Sequence, residues 1–442
     1  MLTACAGRPG TAPAAAAASA EPVPWRYQAR LRGDDLYVEA RFAPGTTGAL
    51  HTDSDAAPFV HDTSEATESG WRVVRYRFAL GEASRRLMDA ETAIAAGDVF
   101  VAPPSTWLLR PESEPPGAFR VEVATDPPAR FLAGTHPAPG GAPSTLAAPT
   151  GDLEDAGFAV FGPFHEETVA SGTARVHLAI APAGLDLTDA DVTSWATMAV
   201  SAIAGYLHRP FPVPRTVVAV LRGKGGPTRG ETMGVGGPTV LLRAGDGVTA
   251  AKTRDDWVLT HELIHVVMPS LGHEHVWLSE GIASYVEPLA RVRLGTLPRE
   301  TMWHDLVEGM PQGLPEAGDE GLEKTHTWGR TYWGGALFCL LADVRIREQT
   351  ASARSFGDVI RAVVATGDDV EAHWEIERFL DVGDAATGTR VLHDLHRELG
   401  LAPGTVDLPA LWRRLGVAVD GDRVRLDDTA PLAAVRRGIA GR

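Results

Sequence analysis

Residues 261–265 read His-Glu-Leu-Ile-His, and no other stretch of this 442-residue chain restricts its fold so tightly. Side chains four apart lie on one face of a helix, so a helix here sets His261 and His265 where one metal can take both. Glu262 then stands beside the position left for water, where a general base is needed. A third ligand must come from another element. Glu280 is the best candidate, in Trp277-Leu278-Ser279-Glu280-Gly281-Ile282-Ala283-Ser284-Tyr285. His273 and His275, in the connection between the two segments, read as loop residues, with a three-histidine site as the fallback. The expected cofactor is Zn2+, one per chain.

At 442 residues the chain exceeds the ~250–300 that a single core usually fills, so two or three domains are expected. Apolar content of 44% with 22% charged residues is the balance of a folded soluble protein. A net charge of −16 argues against nucleic acid or anionic membrane as a main partner, because both repel acidic surfaces. No run approaches the ~18–20 apolar residues of a membrane span. Of the two cysteines, Cys339 lies in the apolar run from Ala336 to Leu341 and reads as a buried thiol. Leu2-Thr3-Ala4-Cys5 is similar to the end of a bacterial lipoprotein signal, whose cysteine becomes acylated, although the charged and apolar regions that precede such a cysteine are missing. The expectation is an extracytoplasmic protein that meets a membrane only through a lipid on Cys5, with the Ala- and Pro-rich residues 1–24 as tether.

Alternating segments such as Trp25–Leu31, Asp35–Phe42 and Arg72–Phe78 predict a β-rich, sandwich-like domain over residues 25–150. Further short runs include Val99–Val101, Trp107–Leu109 and Phe119–Val123. The Pro- and Gly-rich stretch 133–151 reads as its linker or as a long surface loop. A metal-binding domain over 151–295 follows, with strands near 174–180, 216–221 and 239–243 and a helix over 189–208. The glycines between Gly223 and Gly237 lack the G-K-[ST] of a phosphate loop and read as a flexible connection. Thr253 is the predicted N-cap of the metal helix, with Asp255 and Asp256 in its first turn and Pro269 at its end. A helical subdomain over 296–442 should close the cleft. Its predicted helices include 329–347, 355–365, 370–380, 385–399 and 408–415, ending in a β-hairpin at 417–426 with an Asp-Gly turn. The fold class is α+β.

Two neutral imidazoles and one carboxylate leave zinc with net positive charge and an open position, which lowers the pKa of water there from about 15.7 to roughly 7. Glu262 would take the proton of that water and pass it to the leaving amine. The motif at 261–265, with Trp277 to Tyr285, resembles the gluzincin metallopeptidases, the thermolysin-like clan that includes alanyl aminopeptidases. The run Tyr332-Trp333-Gly334-Gly335, the apolar helix ending in Ile346-Arg347-Glu348, and Ser355 to Arg361 are more similar to the glycyl-aminopeptidase branch. The likeness covers about Leu241 to Ala365. It implies His261, His265 and Glu280 as ligands, Glu262 as base and Tyr332 as hydrogen-bond donor to the oxyanion. His326 is the alternative donor, and Glu287, two turns past Glu280, could orient a ligand histidine. The chain departs from the pattern in two places. Fourteen residues separate His265 from Glu280, fewer than in thermolysin-like enzymes. The Gly-x-Met-Glu-Asn segment of alanyl aminopeptidases has only Gly230-Glu231-Thr232-Met233-Gly234 as counterpart, with no carboxylate after the methionine. Gly234 to Gly237 could form the edge that pairs with an extended peptide.

The reading is zinc-dependent hydrolysis of peptide bonds in a peptide or protein substrate. Two alternatives stay open: a non-catalytic binding module on the same scaffold, and a zinc hydrolase of a non-peptide substrate. No pattern in the chain sets an oligomeric state.

Overall fold

The strand Trp25–Arg32 alternates buried and exposed residues without a break, as a sheet with one wet face requires. It lies inside a six-stranded sheet with Asp35–Phe42, Val60–Glu68, Trp71–Phe78, Ala118–Ala124 and Thr145–Pro149. The computed structural model describes residues 22–441 apart from 246 and 422, so Cys5 and nearly all of the expected tether lie outside the described residues. Thr145–Pro149 pairs antiparallel with Ala118–Ala124 at the sheet's edge. The stretch 133–151 thus contributes a strand, and its proline is tolerated because an edge has no partner waiting for the missing N–H.

A second sheet joins Ile94–Ala96, Val99–Ala102, Arg130–Ala133 and Ala159–Gly162. It is buried on both faces. Phe100, Ala102, Ala159 and Phe161 pack into the core of the six-stranded sheet. Val99, Val101 and Val160 point the other way, against Ala219, Leu221 and Leu241 of a third sheet. The N-terminal sheets therefore extend to Gly162, past the boundary expected at 150. Residues 107–109, expected as a strand, are not one: Trp107 ends a helical turn at Pro104–Trp107, for which the Pro103-Pro104 start is suited, and 108–109 are irregular.

The third sheet has five strands in the order His165–Ser171, Ala174–Ile180, Arg215–Arg222, Thr239–Ala244, Arg229–Met233. Its far face, with Val218, Val220, Val240 and Leu242, meets the helices in the largest core. Asp189–Leu207 opens with a capping box between Thr188 and Asp191. Behind it pack Val258–Val267, Val276–Leu294 and Gly335–Gln349.

Several expectations need correction. Arg229–Met233 is an antiparallel edge strand, so the glycine-rich segment is more than a connection, and the sheet edge is not Gly234 to Gly237. Thr253 does not cap the metal helix; its hydroxyl donates to Ala250 O within its own short turn. The helix starts at Val258, where Asp256 Oδ1 accepts from the Val258 N–H at 2.9 Å. Residues 370–375 are not helical, because the N–H groups of Val370 and Trp374 bond to Val266 O and Ser270 O. The helix there is Ile376–Thr387, and Val391–Leu395 follows. The hairpin Val417–Asp420 with Arg423–Leu426 forms as expected, but a further helix, Ala433–Ala440, comes after it. Among the described residues no helix is long and apolar enough to cross a membrane.

Candidate metal centre

Helical spacing places His261 and His265 one turn apart on Val258–Val267, with their Nε2 atoms 3.2 Å from each other. Glu280, in the first turns of Val276–Leu294, brings Oε2 to 3.0 Å from His261 Nε2 and 3.5 Å from His265 Nε2. Among the described residues this trio is the one cluster of ligand atoms close enough to share an ion. Donors bound to a tetrahedral zinc at about 2.0–2.2 Å stand about 3.3 Å apart, so the three fit that ion. The charges agree. Burial works against a protonated His265, yet Glu280 and then Glu262 push it up to about 9. Burial likewise works to raise Glu280, but the two imidazoles hold it well below the usual carboxylate range. Such a constellation calls for positive charge at its centre.

Two glycines decide how the third ligand and Tyr332 reach this centre. A Cβ on Gly335 would lie 2.0 Å from Trp277 O and 2.7 Å from Gly281 Cα. The helices Val276–Leu294 and Gly335–Gln349 therefore cross in backbone contact, just past Glu280 and just past the π-turn Arg330–Gly334. Arg330, buried and 2.8 Å from the buried Asp319 carboxylate, secures that turn. Tyr332 thus stacks at 6.4 Å from the His261 ring and at 5.5 Å from the Trp328 ring. Burial, reinforced by Glu280 and Glu262, pushes its phenol up to about 12, so the hydroxyl keeps its proton as a donor.

Glu262 is 7% exposed and lines a cavity of about 690 Å³ together with His261, His265, Glu280 and Tyr332. Thr232 Oγ1, from the edge strand, donates to Glu262 Oε2 at 2.7 Å. Another wall comes from the loops of the N-terminal sheets and carries Asp53, Glu91, Glu154 and Asp155, and Val370 and Phe379 also line the cavity. Neither this wall nor Thr232 was visible as a site in the sequence, since their parts are far apart in the chain.

Four candidates stand elsewhere. Glu287 is buried in an ion pair with Arg291 at 2.9 Å rather than against a ligand histidine, and His261 Nδ1 has no hydrogen-bond partner among the described residues. His326 is exposed in the segment before the π-turn. His273 is exposed too, and His275 Nδ1 meets Glu323 at 2.7 Å, so neither joins the trio.

No family profile and no curated protein matches the chain. Its shape, an N-terminal sheet-rich part followed by a helical part, is similar to that of solved aminopeptidase N family and M1 zinc metallopeptidase structures. An aminopeptidase N family protein from Idiomarina loihiensis is similar at a TM-score of 0.68 and 12% identity, over 90% of this chain and 79% of that one. An M1 zinc metallopeptidase from Deinococcus radiodurans is similar at 0.50 and 16% identity, over 86% and 94%. At these identities the likeness is one of fold.

Proposed function

We propose that this protein is a zinc-dependent metallopeptidase, a hydrolase of peptide bonds. The observation that carries the reading is the convergence of His261 Nε2, His265 Nε2 and Glu280 Oε2 at 3.0–3.5 Å, beside Glu262 and at one end of a cavity able to take a peptide. His261, His265 and Glu280 hold the ion, one per chain. When bound, zinc polarises the scissile carbonyl and acidifies the attacking water. Glu262 takes that water's proton and hands it to the amine that leaves. Tyr332, still protonated at neutral pH, donates to the oxygen on which charge develops. The likeness of Tyr332 to Arg361 to the glycyl-aminopeptidase branch belongs to this reading, as does attachment of the chain through Cys5.

The test is digestion of a diverse peptide mixture by zinc-loaded wild type and Glu262→Gln, read by mass spectrometry. Cleavage by the wild type should fall about 10²–10⁴-fold in the variant at equal zinc content. The cut positions would then separate terminal from internal action. Equal cleavage by both proteins would defeat the assignment. No cleavage by either, with zinc bound, would favour a binding module or a non-peptide substrate.

A further inference from the structure

We infer that the edge strand Arg229–Met233 holds the general base: Thr232 is the positioning residue of Glu262, and Gly230 leaves the space the base occupies. The inference rests on the proposed role of Glu262. Residues two apart in a strand share a face, so Gly230 and Thr232 both look toward the metal helix while Glu231 turns away to pair with Arg243. Thr232 Oγ1 donates to Glu262 Oε2 at 2.7 Å and reaches Glu262 O at 3.2 Å. A Cβ on Gly230 would fall 2.4 Å from Glu262 Cγ, 2.6 Å from Oε1 and 2.7 Å from Cδ. The backbone of Gly230 does not need glycine, since its φ is not positive. Its missing side chain is therefore explained by the carboxylate alone. An unheld glutamate samples several rotamers and loses its aim at the water, and a misplacement of ~1 Å can cost about 100-fold in rate.

The contact is chemical as well as steric. A carboxylate is an acceptor and the Thr232 hydroxyl a donor, so the hydrogen bond fixes which way the Glu262 carboxylate faces. In Gly230→Ala the atoms that must yield belong to the flexible Glu262 side chain, so the base moves and the fold stays.

The experiment compares Thr232→Val, Thr232→Ser and Gly230→Ala on zinc-loaded protein. We expect kcat to fall about 10-fold in Thr232→Val and up to about 100-fold in Gly230→Ala. KM and zinc per chain should stay at the wild-type level, and Thr232→Ser should keep kcat within about 3-fold because it retains the donor. A second readout needs no activity: melting of the metal-free wild type, Thr232→Val, Glu262→Ala and the double variant. Non-additive shifts, with the cost of Thr232→Val reduced when the carboxylate is gone, would support the holder. An unchanged kcat in Thr232→Val, an equal loss in Thr232→Ser, or additive melting shifts would overturn it. If the wild type cleaves no peptide, the peptidase reading fails by itself, and the melting cycle still decides whether the strand holds Glu262.

Discussion

The cavity has two contrasting walls. On the metal side, His261 is 4% and Glu262 7% exposed, and each polar group leans on another. On the β side, Asp53 and Glu154 share the buried Arg110 at 3.4 and 3.6 Å and Asp53 also accepts from Ser105, yet the Glu154 side chain is 63% exposed. Buried charges interact strongly and must be paired, whereas exposed ones are screened by solvent and salt. The first wall can thus assemble a reaction centre, and the second can only bias what enters the cavity.

The sharpest test of that contrast is Tyr332→Phe. Losing one donor to a developing oxyanion costs about 2.7–4 kcal/mol, so kcat should drop about 10²–10³-fold with KM little changed and zinc retained. Steady-state kinetics and metal analysis on one preparation would check it. Next comes the glycine crossing that delivers Tyr332. Gly335→Ala forces apart two helices in backbone contact and should lower stability by about 1–3 kcal/mol, read from the denaturant midpoint. On the β wall, Glu154→Gln with Asp155→Asn should leave zinc content and kcat alone. Its signature would be a KM change under about 3-fold and a shallower salt dependence for cationic peptides. A loss of metal in that variant would break the contrast.

The smallest effect concerns a contact between the two sides. His136, just after the second sheet's strand Arg130–Ala133, places Nε2 2.8 Å from Glu371 Oε2 in the segment that carries Val370. The hydrogen bond with Glu371 raises the imidazole's pKa, although burial opposes it. A pKa raised in the fold gives stabilisation that is complete below the unfolded histidine value of ~6.5 and is lost as pH rises through the folded value. The melting difference between wild type and His136→Gln should therefore be largest near pH ~6 and vanish in alkali. Both partners are part-exposed, so the difference should be small.

Legibility followed the range of the interactions. The helix expected from residue 189, which opens with the Thr188 capping box, and the alternation of Trp25–Arg32 rest on local interactions, and both elements are present. The edge strand was illegible because Gly230, Glu231 and Thr232 offer no alternation of apolar and polar residues; its strand character comes from pairing with Thr239–Ala244. Val370 and Trp374 are spaced as in a helix, but their N–H groups find acceptors in Val266, in the last turn of the helix Val258–Val267, and in Ser270 beyond it, and those distant partners prevail. Glu287 shows the same limit. Two turns from Glu280 it is correctly placed to look inward, yet Arg291 one turn further takes its carboxylate.

By itself the sequence determined that His261 and His265 share one helix face, with Glu262 beside His261 in the chain and Glu280 at the start of the next helix. Helical geometry needs nothing beyond spacing for that. Only the tertiary structure decided that Glu280 closes on the two histidines, that Tyr332 arrives through the Gly281–Gly335 crossing, and that Gly230 and Thr232 lie against the base. These contacts join segments tens of residues apart, and their geometry is set by how sheets and helices fill a common core, which no local pattern encodes.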